Sequence, residues 1–71
     1  MRKIVIDGKT RHGKPILEGT RVTVEEVLGM LASGMTYDEI KEEYGLTKED
    51  VMIVMKYMIS LMHGEEVHKV R

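Results

Sequence analysis

The pattern of apolar and polar residues divides the chain into a short extended part and a longer helical part. Before residue 23, Ile4-Val5-Ile6 and Pro15-Ile16-Leu17 are brief apolar runs, each followed within two residues by a glycine. Such runs indicate strands, and the two can pair as a small hairpin or arm. After residue 23, apolar residues recur every three or four positions, which predicts amphipathic helices.

Three helices are each predicted to begin at a threonine that is followed three positions later by an acidic residue. The pairs are Thr23 with Glu26, Thr36 with Glu39, and Thr47 with Asp50. The threonine hydroxyl accepts a hydrogen bond from a free backbone N–H, and the carboxylate favours the positive end of the helix. A glycine, the residue that favours helix ends, follows each segment, at Gly34, Gly45 and Gly64. The predicted helices therefore span about 24–33, 37–44 and 48–63.

The first two predicted helices have narrow apolar faces. The residues expected to face the core are Val24, Val27, Leu28 and Leu31 in the first helix, and Tyr37, Ile40 and Tyr44 in the second. The second and third helices are linked only by Gly45, Leu46 and Thr47, which is the spacing of a helix-turn-helix unit. We expect Leu46 to fill the angle between them. The fold class predicted is mainly α, with three helices and an N-terminal β-hairpin or arm.

The third predicted helix is apolar around about half of its circumference, whereas a globular helix needs a stripe of a little over about 100°. The surplus lies chiefly at four residues, Met52, Met55, Ile59 and Met62. We predict that these residues form a dimer interface, since an exposed apolar strip marks a contact surface and methionine adapts to irregular partners. The alternative is a central helix buried on all sides. A chain of 71 residues without cysteine favours the symmetric homodimer, because cores this small usually need a further source of stability.

Composition is that of one folded domain, with 42% apolar and 32% charged residues. Its predicted parts are a basic β arm over 1–22, a three-helix bundle over 23–63 and a C-terminal tail over 64–71. No apolar run approaches the roughly 18 residues of a membrane span and no signal peptide is evident, so we expect a cytoplasmic protein. Residues 1–22 carry a net charge of +4 and residues 23–71 carry −5. This separation suits a polyanion on one side and a basic partner on the other, although solvated acidic helix faces explain it equally well.

Catalytic chemistry is not indicated by any residue pattern in the chain. His12, His63 and His68 have no serine, cysteine or aspartate partner by spacing, so no enzyme, metal site or cofactor is expected.

The most distinctive segment runs from residue 13 to residue 24. Gly13, Pro15, Gly19 and Thr20 are expected to shape its turns. Lys14 and Arg21 bring two cations, which can bind phosphate together with backbone N–H groups. The alternative is a purely structural turn in which Arg21 pairs with a helix carboxylate.

Joined motifs across about residues 4–60 carry a family resemblance. They are Gly13-Lys14-Pro15, Gly19-Thr20-Arg21, Val24-Glu25-Glu26-Val27-Leu28, Leu31-Ala32-Ser33-Gly34-Met35-Thr36, Asp38-Glu39-Ile40, Glu43-Tyr44 and Leu46-Thr47-Lys48-Glu49-Asp50-Val51. Together they resemble the small prokaryotic domain-of-unknown-function family numbered four hundred and thirty-three. The resemblance implies a homeodomain-like helix-turn-helix fold. Because some members resemble VapB-type antitoxins that partner PIN-domain ribonucleases, it also implies an antitoxin-like role.

Two functions are compatible with these observations. The first is a DNA-binding, transcriptional regulatory module of a toxin–antitoxin system. Its predicted phosphate contacts are Lys14, Arg21, Lys48 and Lys56. Against it, Glu49 and Asp50 lie in the first turn of the supposed recognition helix, where carboxylates repel DNA. The second is a dimeric protein-interaction module whose acidic second helix binds a basic partner such as a PIN-domain toxin, without DNA binding of its own.

Overall fold

The computed structural model describes the backbone of residues 2–70 and the side chains of residues 2–63. Its elements are β1 (Ile4–Ile6), a 3-10 turn (Arg11–Gly13), β2 (Pro15–Leu17), α1 (Val24–Ala32), α2 (Tyr37–Tyr44) and α3 (Lys48–Val70). The predicted class, mainly α with an N-terminal hairpin, is confirmed. The helix-turn-helix character of α2 and α3 stays a prediction.

The two strands form an antiparallel hairpin in which Ile4 lies opposite Leu17. Asp7 shapes the turn after β1, because its carboxylate accepts hydrogen bonds from the Lys9 backbone N–H and the Thr10 hydroxyl. A lone hairpin of this size is marginally stable in water. It is held here by packing, since Leu17 is completely buried against the helices.

The three predicted helix starts carry the expected hydrogen bonds. At α1, the Thr23 hydroxyl accepts from the Glu26 backbone N–H and the Glu26 carboxylate accepts from the Thr23 N–H, both at 2.9 Å. The same reciprocal arrangement recurs in two further pairs, Thr36 with Glu39 and Thr47 with Asp50. Each pair satisfies backbone N–H groups that the first helical turn leaves free, so the local sequence fixes where each helix begins.

Two of the three predicted helix ends are found. The helix α1 ends at Ala32, and α2 ends at Tyr44 because Gly45 adopts a left-handed conformation with φ of 72°. The predicted end of the third helix at His63 is wrong, since α3 continues through Gly64 to Val70. A glycine inside a helix costs only about 1 kcal/mol relative to alanine, so it does not end a helix whose following residues favour helix.

The core lies between the hairpin and the three helices. Its members are Leu17, Val24, Val27, Met30, Ile40, Leu46, Val51 and Val54. Leu46 is 1% exposed, which agrees with the prediction that it fills the angle between α2 and α3. Met30 was not among the residues predicted to face the core. Leu28 and Leu31, which were, are half-buried at its edge.

The apolar face of α2 is narrower than the sequence predicts. Ile40 is completely buried, but the expectation for Tyr37 and Tyr44 is wrong, because they are 46% and 48% exposed. A helix of eight residues that touches the core with a single turn buries one side chain, and its ends project into solvent. Tyr37 instead lies beneath the Lys48 ammonium, whose Nζ is 5.4 Å from the ring centroid, a cation–π contact.

Candidate protein-interaction surfaces

The helix α3 carries an exposed apolar strip. Its four residues, Met52, Met55, Ile59 and Met62, are 41%, 44%, 51% and 58% exposed. We call them the α3 strip. The sequence predicts surplus apolar surface at these four residues, and the structure shows that they are exposed. The alternative of a helix buried on all sides is wrong for this chain alone.

The rotation of α3 is fixed by the core on its other side. Val51 and Val54 are completely or almost completely buried. Three half-buried residues, Ile53, Tyr57 and Met58, pack against the core beside them. With these residues turned inward, the α3 strip cannot reach the core without unpacking the domain.

The α3 strip has the spacing of a coiled-coil seam. Its members are three, four and three residues apart, which are the a and d positions of two successive heptads. A seven-residue period keeps a strip aligned with a partner helix over several turns. Leu61, 49% exposed, lies on the same helix near the C-terminal end of the strip. This spacing is typical of a surface that packs against another helix.

The distinctive segment between residues 13 and 24 is held against α1 by Arg11. Its guanidinium donates to both carboxylate oxygens of Glu26 at 2.9 Å and to the Arg21 backbone carbonyl at 2.8 Å. The backbone of Arg11 is left-handed, with φ of 53°, a conformation unusual outside glycine that these hydrogen bonds support. The hydrogen bond from Arg11, followed by the one from the Thr23 backbone, lowers the pKa of Glu26 to about 2.

The arginine that pairs with a carboxylate of α1 is therefore Arg11, whereas the turn alternative in the sequence analysis gives a helix carboxylate to Arg21. Arg11 lies 15 residues before Glu26, a separation at which no local spacing rule indicates contact. The left-handed backbone at Arg11 and His12 also has no signal in the sequence. Only the folded hairpin loop brings Arg11 to α1.

The predicted turn residues shape the same segment. Gly13 and Gly19 have positive φ angles of 78° and 79°, which glycine adopts without strain. The Thr20 hydroxyl donates to the Leu17 carbonyl at 2.8 Å and accepts from the Val22 N–H at 3.0 Å. Pro15 begins β2.

The four predicted phosphate-binding residues lie in different environments. Lys14 pairs with Glu25 at 3.1 Å, and both side chains are exposed. Lys48 lies over Tyr37 in a shallow groove that also includes Asp38 and Glu49. The remaining two are exposed, Arg21 after β2 and Lys56 on α3.

Asp50 does not lie where the sequence argument against DNA binding needs it. The residue is 6% exposed, and its carboxylate accepts hydrogen bonds from the Arg2 guanidinium at 3.2 Å and from the Thr47 N–H at 2.9 Å. Its charge is thus paired and turned toward the N-terminal arm. The expectation that Asp50 lies on the surface of α3 is wrong, and of the two first-turn carboxylates only Glu49 is exposed.

A groove of about 520 Å³ lies on the α1 side of the domain. Its lining includes the apolar residues Val22, Met30 and Met35 together with Arg21 and Tyr44. Among residues whose side chains are described, none from α3 lines it. This groove and the α3 strip are therefore separate surfaces. Within the described part of the chain, no helix is both long and apolar enough to pass through a membrane.

Comparison with known proteins gives one curated relative. The chain is 33% identical over 48 residues to the putative antitoxin VapB45 of Mycobacterium tuberculosis (strain ATCC 25618 / H37Rv). The match covers 68% of this chain and 20% of the relative, so the chain spans about a fifth of that protein's length. No solved structure is significantly similar to the chain.

The family comparison covers most of the described elements. The model for the protein of unknown function DUF433 matches residues 4–58, from β1 through the first part of α3. The resemblance seen in the sequence motifs is thereby confirmed. This chain belongs to the DUF433 family.

Proposed function

We propose that this chain is an antitoxin module that acts by binding other polypeptides, and that it assembles as a homodimer through the α3 strip. The antitoxin role is supported by the relative of that name, which shares 33% identity over 48 residues. The proposed mode of action, binding to other polypeptides, rests on the exposed α3 strip. Four large apolar side chains in heptad spacing favour contact with protein over contact with nucleic acid.

A second copy of the chain is the simplest partner for the α3 strip. A two-fold axis places the same strip on both sides of the contact, so an apolar surface is matched by an apolar surface. Burial of apolar area is worth about 25 cal/mol per Å². The homodimer thus supplies stability that a small core lacks.

The toxin is proposed to be a basic protein of the PIN-domain ribonuclease class. Its proposed contact is the exposed acidic face of α2, formed by Asp38, Glu39, Glu42 and Glu43. Complementary charge steers such partners together and selects among them. This contact leaves the α3 strip free for the second copy.

The experiment co-expresses the chain with each PIN-domain nuclease of the genome that encodes it and measures growth of the bacterial host. We expect the chain to restore growth against at least one nuclease. The variant Ile59→Glu places a charge in the α3 strip and so prevents the dimer that stabilises the chain. It should therefore lose most of this protection. The matched control Ile6→Glu, an equally apolar residue that is 66% exposed on the hairpin, should retain it. The proposal fails if the soluble wild-type chain protects against none of the nucleases.

A second candidate is DNA binding and transcriptional regulation by the same module. The observation in its favour is the exposed Arg21, with Lys14 in the same segment and Asp50 removed from the surface of α3. Lys48 and Lys56 would add phosphate contacts from α3. In this mode the basic segment dominates affinity, because neutralised phosphates release counterions.

This candidate is tested by fluorescence anisotropy with duplex DNA from the chain's own promoter at several salt concentrations. The double variant Lys14→Gln and Arg21→Gln should reduce the slope of log affinity against log salt by about 2. Lys41→Gln on α2 is the control and should leave the slope unchanged. An unaltered slope in the double variant, or no binding by the wild-type chain, contradicts DNA binding.

A further inference from the structure

The groove on the α1 side is the candidate for a further site. It is lined by Arg21, Val22, Gly29, Met30, Met35 and Tyr44, among others. Its lining contains none of the four residues of the α3 strip, so a dimer that forms through the strip leaves the groove unchanged and present twice. The groove is also separate from the acidic residues of α2 that are proposed to bind a basic toxin.

Gly29 is the residue in this groove that the fold itself does not explain. It lies inside α1, where glycine is less favourable than alanine. A Cβ atom at this position would meet nothing within 4 Å, and Gly29 is not among the positive-φ residues. Neither packing nor backbone conformation therefore requires glycine here. What glycine does provide is a bare stretch of helix backbone that another molecule can approach closely.

The charged residues that line the groove determine which sign of charge a bound molecule should carry. Glu26 also lines the groove, but its negative charge is already balanced by Arg11, which donates hydrogen bonds to both of its carboxylate oxygens. Arg21 has no ion pair among the residues whose side chains are described, and only its backbone carbonyl is used, by Arg11. The groove thus keeps one guanidinium free beside an apolar floor of Met30 and Met35. This combination matches a carboxylate next to an apolar side chain.

We infer that this groove binds a segment of a partner protein in which an acidic residue adjoins a large apolar residue. The apolar side chain lies over Gly29 against the methionines, and the carboxylate pairs with Arg21. The inference deepens the proposed function, because it gives the antitoxin module a second contact with a polypeptide partner. It does not depend on the dimer.

The test uses a defined probe, the peptide acetyl-Glu-Leu-Leu-Glu-amide, with acetyl-Gln-Leu-Leu-Gln-amide as its neutral counterpart. Each is titrated into the 15N-labelled full chain while backbone amide signals are followed by NMR. We expect saturable shifts at Val22, Gly29 and Met35 with the acidic peptide. The neutral peptide should bind about fivefold more weakly, which is the upper end of what an exposed ion pair contributes. No shifts, or equal affinity for the two peptides, would overturn the inference.

Variants separate loss of the site from loss of the fold. Gly29→Gln should abolish the shifts by filling the groove, while raising the melting temperature by about 4 °C because glycine leaves the helix interior. Ala32→Gln, at an exposed position of the same helix outside the groove, is the matched control and should bind like the wild type. Arg21→Gln should weaken the acidic peptide about fivefold and leave the neutral peptide unaffected.

The outcomes distinguish this inference from the proposed homodimer. The Gly29→Gln variant should sediment like the wild-type chain, whatever its assembly state, because the groove and the α3 strip share no residue. If Gly29→Gln folds and still binds the acidic peptide as tightly as the wild type does, the groove is not the binding site.

Discussion

Glu26 joins the hairpin loop to the start of α1. Its carboxylate accepts one hydrogen bond from the Thr23 backbone and two from the Arg11 guanidinium, all at 2.9 Å. Hydrogen bonds to a carboxylate favour its charged form. The pKa of Glu26 is accordingly lowered from 4.5 to about 2, with Arg11 as the first cause and Thr23 as the second.

This lowered pKa predicts how stability changes with pH. Because the folded protein holds the Glu26 proton less tightly than the unfolded chain does, the contribution is complete above about pH 4.5. It is lost as the pH falls toward about 2. In Glu26→Gln this part of the acid dependence should disappear, and at pH 7 the variant should lose less than about 1 kcal/mol because the pair is exposed. Urea unfolding followed by circular dichroism at several pH values measures both effects.

The matched control for this prediction is Glu25→Gln, which removes the neighbouring carboxylate and its exposed pair with Lys14. It should keep the wild-type loss of stability between pH 4.5 and 2. Equal acid dependence in Glu26→Gln and the wild type would show that Arg11 does not stabilise the charged carboxylate of Glu26.

At the residue scale, sequence spacing predicts neighbours along the chain but not across it. The reciprocal bonds between Thr23 and Glu26 follow from a separation of three residues, which a helix start converts into contact. The partnership of Arg11 with the same Glu26 depends on the path of the hairpin loop, including a left-handed backbone at Arg11. That path is set by tertiary packing, so spacing along the chain does not indicate that Arg11 is the partner of Glu26.

At the element scale, the apolar period predicts where helices form better than it predicts which side chains they bury. The periods locate α1, α2 and α3, and the threonine caps fix their starts. For α2, however, burial depends on how much of the helix reaches the core, which is one turn around Ile40. Tyr37 and Tyr44 share its apolar stripe but lie beyond that contact.

The end of α3 shows a second limit at this scale. Gly45 and Gly64 are equivalent as signals in the sequence, yet only Gly45 adopts the left-handed conformation that ends a helix. After Gly45 the chain must turn so that Leu46 reaches the core. Gly64, by contrast, lies within α3, which continues to Val70. The stop is enforced by packing rather than by glycine itself.

The α3 strip is the feature of this scale that the sequence predicts most directly. The helix is apolar around more of its circumference than a core of this size can cover, and the surplus is exposed at Met52, Met55, Ile59 and Met62. The surplus follows from the number of apolar positions on α3 compared with the size of the core. What covers the strip is a question for the assembly and not for the single chain.

At the scale of the whole molecule, the hairpin, the core and α3 divide the surface into parts of different character. The Arg2 to Asp50 ion pair ties the N-terminal arm to the start of α3, at 3.2 Å. Arg11 ties the hairpin loop to α1 in the same way. With the hairpin fastened at both ends, two surfaces remain open. They are the α3 strip and the groove on the α1 side. The proposed assembly uses the first to pair two chains and keeps the second for a partner.

The central claim is that the α3 strip pairs two copies of this chain, and sedimentation equilibrium at about 10 µM tests it most directly. We expect the wild-type chain to have twice its monomer mass of 8.2 kDa. The double variant Met55→Glu and Ile59→Glu should have the monomer mass with unchanged helical circular dichroism, while Ile6→Glu should remain dimeric. A wild-type chain that sediments at 8.2 kDa and is fully folded would contradict the account.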